Sequence, residues 1–398
     1  MSRIMQGAGA MLLATTSLAS AGALDRSGQP VGVIFEDGNY VELSYGFTSP
    51  DVQGSFTNPV SGAVSRSGDV GVDFDQVTLS FKYDLNDRLS VAVILDQPFG
   101  ADVNYANAEL GYPVRGSEAV FETSSITALG RYKLNDSFSV HAGARSVRVD
   151  ADLYVQTPTL LNPADPTTLA TYYYDGNFDA DSDLGYVVGA AYERQEIGLR
   201  VALTYSSETS FSNGTSFAAG ILGVGDVLTG SGQTSYTLPQ SVNLDFRTGI
   251  AADTAIFGSI RWVDWSSTQI NVPGRLPDGR PAYPDNPVVG YDEDIVTYTL
   301  GIGRRFSDQL TASAAVIYEP ATGSDFSPAV ARSGVSNLAP TDGQLGLQLA
   351  ATYALNDSLE LTGGVRYTRL GDATTRGFGA SFEGNDAVSL GLRVGYRF

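Results

Sequence analysis

The chain has 398 residues, 24 Lys plus Arg against 44 Asp plus Glu for a net charge of −20, no cysteine and a single histidine, His141. These counts exclude disulfide scaffolds and thiolate chemistry, leave Ser-His catalysis one imidazole to work with, and argue against nucleic acid as a partner, because no Lys/Arg run offsets the acidic excess. Forty-five glycines, 10% aromatic and 17% charged residues suit an all-β chain better than a helical or disordered one.

In chain order, Arg3 is followed by an Ala- and Leu-rich stretch to Leu18 and then by Ala19-Ser20-Ala21. Basic, apolar and small residues in that order read as a secretory leader over residues 1–21, with cleavage after Ala23 as the alternative. No later window approaches the ~18 consecutive apolar residues of a membrane-spanning helix, so any membrane crossing must use strands. From residue 38 onward apolar and polar residues alternate. Val77, Leu79, Phe81 and Tyr83 are separated by Thr78, Ser80 and Lys82, and the same period of two runs through Leu345–Leu355 and Val388–Phe398. Tyr83-Asp84-Leu85-Asn86-Asp87, Tyr132–Asp136 and Tyr353–Asp357 repeat an aromatic followed by Leu-Asn-Asp; with 194–196, 251–253 and 305–308 they mark six short turns. Seven longer connections, near 50–70, 98–118, 156–182, 212–234, 271–290, 320–340 and 376–382, alternate with them. The expected fold is an all-β, 14-stranded antiparallel transmembrane β-barrel over residues 38–398, in the outer membrane of a Gram-negative bacterium.

Candidate chemistry is sparse. Lys82, Arg131, Lys133, His141, Arg145, Glu193, Arg200, Asp245, Arg247, Arg261, Glu360, Arg366, Arg393 and Arg397 fall on the inward parity, as in the polar wall of a barrel. No nucleophile or orienting carboxylate is marked beside His141, so no catalytic residue, cofactor or metal ligand is assigned. Asp179, Asp181 and Asp183 read as a solvated loop edge, with calcium binding as the sharper alternative; Asp292, Glu293 and Asp294 read likewise. Acidic outer loops would meet lipopolysaccharide through divalent ions, and the terminal aromatic Phe398 is the expected contact for the barrel-assembly machinery. A monomer is expected. Pro98, Phe99 and Gly100 interrupt the third strand: proline has no N–H for the ladder and glycine permits a bulge, so they mark either a gap in the wall or the start of an outer loop. Phe211, Phe217, Ile221, Leu222, Val224, Val227 and Leu228 make the fourth outer loop unusually apolar, as a lid or as a ligand site.

Several stretches resemble the FadL-type outer-membrane transporters of long-chain fatty acids and other hydrophobic compounds. They are Leu238-Pro239-Gln240-Ser241-Val242, Arg261-Trp262-Val263-Asp264-Trp265-Ser266, Tyr318-Glu319-Pro320, Pro340-Thr341-Asp342-Gly343, Gly364-Val365-Arg366-Tyr367 and Pro98–Tyr105. The resemblance implies a barrel plugged by its N-terminal segment, here residues 22–37, with hydrophobic ligands such as long-chain fatty acids captured outside and released sideways through a gap at a kink in strand three. Residues 22–37 are fewer than the family's usual hatch, and Asn162-Pro163-Ala164 lies in an outer loop rather than in that hatch. An aromatic-hydrocarbon channel, a general diffusion porin and a lipid-acting barrel enzyme are the competing readings.

Overall fold

The computed structural model describes residues 24–159, 170–274, 287–327 and 333–398; the leader expected at 1–21 and Asn162-Pro163-Ala164 lie outside the described residues. Fourteen antiparallel strands form the wall. They are β1 (Tyr40–Asp51), β2 (Phe74–Asp84), β3 (Leu89–Asp96 and Gly100–Asn104), β4 (Glu118–Lys133), β5 (Phe138–Thr159), β6 (Ala170–Arg194) and β7 (Leu199–Ser206 and Thr209–Ile221). The second half comprises β8 (Gly225–Leu238 and Ser241–Ala251), β9 (Thr254–Val263), β10 (Ile295–Arg305), β11 (Leu310–Glu319), β12 (Gln344–Ala354), β13 (Leu359–Leu370) and β14 (Asp386–Arg397). Pairing of β1 with β14 from Tyr40↔Arg397 to Asp51↔Asp386 closes the cylinder, so no edge is left unpaired there.

The turn repeat has a direct cause. Asn86 Oδ1 accepts the amides of Arg88 and Leu89, Asn135 Oδ1 those of Ser137 and Phe138, and Asn356 Oδ1 those of Ser358 and Leu359. A short side-chain acceptor at that position satisfies two amides that the reversal would otherwise leave bare. Leu345, Leu347 and Leu349 are about half exposed on the outside of β12, while Gln344, Gln348 and Ala350 are buried. Exposed Tyr83, Tyr132, Tyr353 and Tyr396 sit beside the short turns, and exposed Tyr45, Tyr186, Tyr298, Tyr318 and Tyr367 form a second row toward the other end. Two aromatic rows bounding an apolar band are what a lipid-seated barrel presents.

Inside, ion pairs fill the lower lumen. Arg393 lies 3.5 Å from Glu42 and 3.8 Å from Glu360, and Arg397 lies 2.9 Å from Glu36 and 3.0 Å from Glu360. Phe35, at the end of the 3-10 turn Gly32–Phe35, has the guanidiniums of Arg131 and Arg200 each 4.6 Å from its ring centroid and the edge-on ring of His141 at 5.5 Å. His141 meets Thr204 at 2.9 Å and serves as a wall residue.

The outer arms correct the sequence reading. Residues 156–159, 170–182, 212–221 and 225–234 are strand, not loop, because β5 to β8 continue as tall hairpins past the apolar band. The acidic run belongs to that extension. The β6–β7 pairing lapses between Ser206↔Val187 and Thr215↔Phe178, and there Asp183 and Asp181 accept the amides of Ser210 at 2.7 Å and Ser212 at 2.8 Å. Carboxylates thus replace carbonyls as the ladder's acceptors. Over the mouth, Gln53–Thr57, Val64–Asp69, Ala373–Thr374 and Ser381–Phe382 pair as a small four-stranded sheet.

Candidate functional site in the wall

The wall breaks beside β3. Below the break Asp96 faces Ser125, and above it Gly100 faces Glu122, so Gln97, Pro98 and Phe99 oppose only two residues of β4. On the other side the β2–β3 ladder ends at Leu79↔Leu95; the upper arm of β3 pairs with β4 and, ahead of β2, meets only an isolated Gly71↔Val103 bridge, with the Asn104 amide donating to Val70 O at 3.0 Å. Phe74 to Gln76 and their neighbours on β2 therefore keep β1 as partner and have no strand on the opposite side. Pro98 contributes by lacking an N–H, and the extra residue shifts the parity. The register puts Gln97 opposite Val77, which is level with Tyr45 of the outer aromatic row. Side chains splint what the backbone leaves open: Gln97 Oε1 accepts the Val77 amide at 2.9 Å, and Thr123 Oγ1 accepts the Phe99 amide at 2.8 Å.

The N-terminal segment seals the inner side of the break. Leu24 O accepts the Gly100 amide at 2.8 Å, and Pro98 O accepts the amides of Arg26 at 2.9 Å and Ser27 at 3.3 Å. Ser27 Oγ donates to Asp96 at 2.5 Å. The same segment is tied to the opposite wall. Arg261 Nε donates to Asp25 at 2.6 Å, Ser241 Oγ to Gln29 at 3.0 Å, and Asn243 Nδ2 to Gly28 O at 3.0 Å. Gly28 (φ 66°) and Gln29 (φ 54°) are both left-handed, and the strain at Gln29 is held by that Ser241 bond. Ser241 and Arg261, two residues of the motifs singled out in the sequence, are thus anchors for residues 25–29.

Arg26 lies in the break itself. Its guanidinium pairs with Asp102 at 2.7 Å and stacks 4.1 Å from the centroid of Phe74. Asp102 shares its parity with Gly100, which faces the exposed Glu122, so the guanidinium reaches the outer side of β3. A Cβ on Gly100 would lie 2.5 Å from Arg26 Cζ, which is why the position has none. Phe99 is buried with its ring edge-on to Trp265 at 5.7 Å, and Trp265 is 4.9 Å from Tyr291. Burial raises the Tyr105 and Tyr291 phenols above their usual range, keeping both neutral.

Two cavities adjoin this region. One, of about 120 Å³, is lined by Arg26, Phe74, Gly100, Val103, Leu338 and Pro340 among others. The second, also about 120 Å³, lies further out between Tyr105, Val114, Val155, Val288, Leu338 and Phe378, with Arg376 at its edge. Arg376 donates to the carbonyls of Gly334 and Gly290 at 3.0 Å each. Leu338 lines both cavities.

Of the residues singled out from sequence, Pro98, Phe99 and Gly100 form the break. Phe211 joins Phe99 in one apolar cluster, and Phe217 and Leu228 pack against its edge. Ile221 is buried outside that cluster, and Leu222, Val224 and Val227 stay exposed around the tip of the β7–β8 hairpin. Sequence reasoning missed Arg26, Asp102, Phe74, Leu338 and Arg376. The available signal was Arg26, the sole basic residue among 22–37.

With the geometry established, comparison with known proteins places it. The family model described as outer membrane protein transport protein (OMPP1/FadL/TodX) matches residues 37–375. The chain belongs to this family. It is accordingly an outer-membrane transporter of hydrophobic compounds, built on a 14-stranded barrel. Similar solved structures include a Pseudomonas aeruginosa FadL homologue, 14% identical, with 96% of each chain covered and a TM-score of 0.72. The P. putida toluene transporter TodX is 12% identical over 91% of this chain and 90% of that one, TM-score 0.65. The Ralstonia pickettii toluene transporter TbuX is 13% identical over 97% of both, TM-score 0.62. A search of curated proteins returns no match.

Proposed function

We propose that the protein carries long-chain fatty acids across the outer membrane without an energy source, taking them up in the outer cavity and releasing them sideways between β2 and β3. The observation that carries this reading is the lapse of the β2–β3 ladder beside an apolar cavity, at the level of the outer aromatic row. An alkyl chain gains about 0.8 kcal/mol for each CH₂ kept out of water, and a sideways exit keeps it out throughout. Each cavity also sets one arginine among apolar residues, which suits a carboxylate on a hydrophobic tail. Phe211, Phe217, Ile221 and Leu228 would supply apolar lining above the break, and Leu222, Val224 and Val227 a first contact outside.

The test is uptake of a radiolabelled long-chain fatty acid by cells whose sole transporter of this class is the protein. Gly100→Trp must displace Arg26 and fill the break, so uptake is lost while the barrel still folds. Unchanged uptake refutes sideways exit. A single-ring hydrocarbon is the second reading, favoured by cavity size: about 120 Å³ is close to the ~150 Å³ apolar cavity that holds benzene in an engineered protein. Two of the similar structures are toluene transporters. Competition by toluene but not by fatty acid would support that reading instead.

A further inference from the structure

We propose that Arg26 makes the break in the wall charge-selective, passing carboxylates in preference to neutral molecules of the same length. This rests on sideways exit being the route. Three observations meet at one place. The guanidinium occupies the space between the Phe74 ring and the bare Cα of Gly100, so a solute leaving through the break must move it. It is almost wholly buried and bonded to Asp102, which lies on the outer parity of β3. And the cavity inside the break, mostly apolar in its lining, has Arg26 and Asp102 as its charged groups.

A buried guanidinium deprived of its carboxylate is costly, so Arg26 swings aside readily only when another anion takes the place of Asp102. A fatty-acid carboxylate can make that exchange: its two oxygens match the guanidinium fork as Asp102 does, and the charge stays paired at every stage. An alcohol of equal chain length cannot, because its hydroxyl leaves Arg26 either still bound to Asp102 and blocking the break, or unpaired. No covalent bond is made or broken in this exchange, and the carboxylate leaves the guanidinium to Asp102 as the chain moves into lipid.

The experiment compares uptake of dodecanoate with that of dodecanol by cells carrying the full-length protein. The wild type favours the acid by about tenfold, the worth of one charge-assisted hydrogen bond. Arg26→Met keeps the bulk, removes the charge and brings the acid-to-alcohol ratio to one. Arg26→Lys keeps the charge without the fork and gives an intermediate ratio. Asp102→Asn removes the competing anion and raises the ratio above that of the wild type. An Arg26→Met protein that folds and keeps the acid preference overturns the proposal. Should that variant fail to fold, an unchanged ratio in Asp102→Asn overturns it equally. Gly100→Trp separates the two levels: if it leaves both solutes entering, the exit route itself is wrong; if it blocks both while Arg26→Met leaves the ratio unaltered, only the charge selectivity is wrong.

Discussion

Replacing Arg261 by Leu tests how the N-terminal segment is held. Arg261 donates to Asp25 at 2.6 Å, to Asn243 at 2.7 Å and to Ser241 at 3.2 Å, all in a buried setting. Removing it leaves the Asp25 carboxylate buried without its cation, a change of about 3–5 kcal/mol. What remains for residues 24–29 is the bonds to Ser241 and Asn243, the backbone bonds to Pro98 and Gly100 and the Ser27–Asp96 bond, each worth about 1 kcal/mol, together with the Arg26–Asp102 ion pair. The loss is thus a large share of what holds the segment. Its detachment should become about 10²- to several 10³-fold more frequent, by the same 3–5 kcal/mol. Hydrogen exchange in detergent reads this directly at the amides of Arg26, Ser27 and Gly100, which bond only across the segment–β3 contact. Exchange there should quicken by that factor while amides of β12 keep their rates. Unchanged exchange at those three amides would refute the assignment of Arg261 as anchor.

Other expectations follow from the same contacts. Leu347→Arg, on the lipid face of β12, should destabilise the barrel by about 2–4 kcal/mol near mid-membrane and lower the yield of heat-resistant folded protein on gels. Asp181→Ala with Asp183→Ala strips the acceptors from the exposed Ser210 and Ser212 amides at about 0.5–1.5 kcal/mol each, so the outer hairpins should become more protease-sensitive. Calcium added to the wild type should leave thermal stability unmoved, since these carboxylates serve the ladder. With Trp262 changed to Phe, Trp265 is the remaining indole, and its emission should be quenched when a brominated fatty acid enters beside Phe99.

Much of the fold was legible because a lipid-facing strand obeys a strict rule: every second residue of β2, β12 and β14 meets hydrocarbon, and the alternation records it. The six turns were legible because an Asn side chain does a local job. Above the membrane the rule lapses. Residues 212–221 and 225–234 have water or packed protein on both sides, so Gly, Ser and Thr fill strands that read as loop. Pro98 and Gly100 announced a break, but nothing local says what seals it, because the partners are Leu24 to Ser27 some seventy positions earlier. Arg26 stood out only as the lone cation of a short segment, and its pairing with Asp102 depends on the whole barrel's closure. Leu338 and Arg376 reach the cavities from separate outer connections, a convergence that no spacing encodes.

Sideways passage between β2 and β3 is tested most directly by photolabelling. A long-chain fatty acid with a diazirine at its tail, supplied to membranes holding the intact protein and irradiated, should attach to the outer cavity and to residues bordering the break, from Phe74 to Val77 and from Gly100 to Val103. Attachment instead along the lower lumen, at Phe35, His141 or Arg200, would mean that the ligand travels down the barrel axis and that the opening in the wall plays no part.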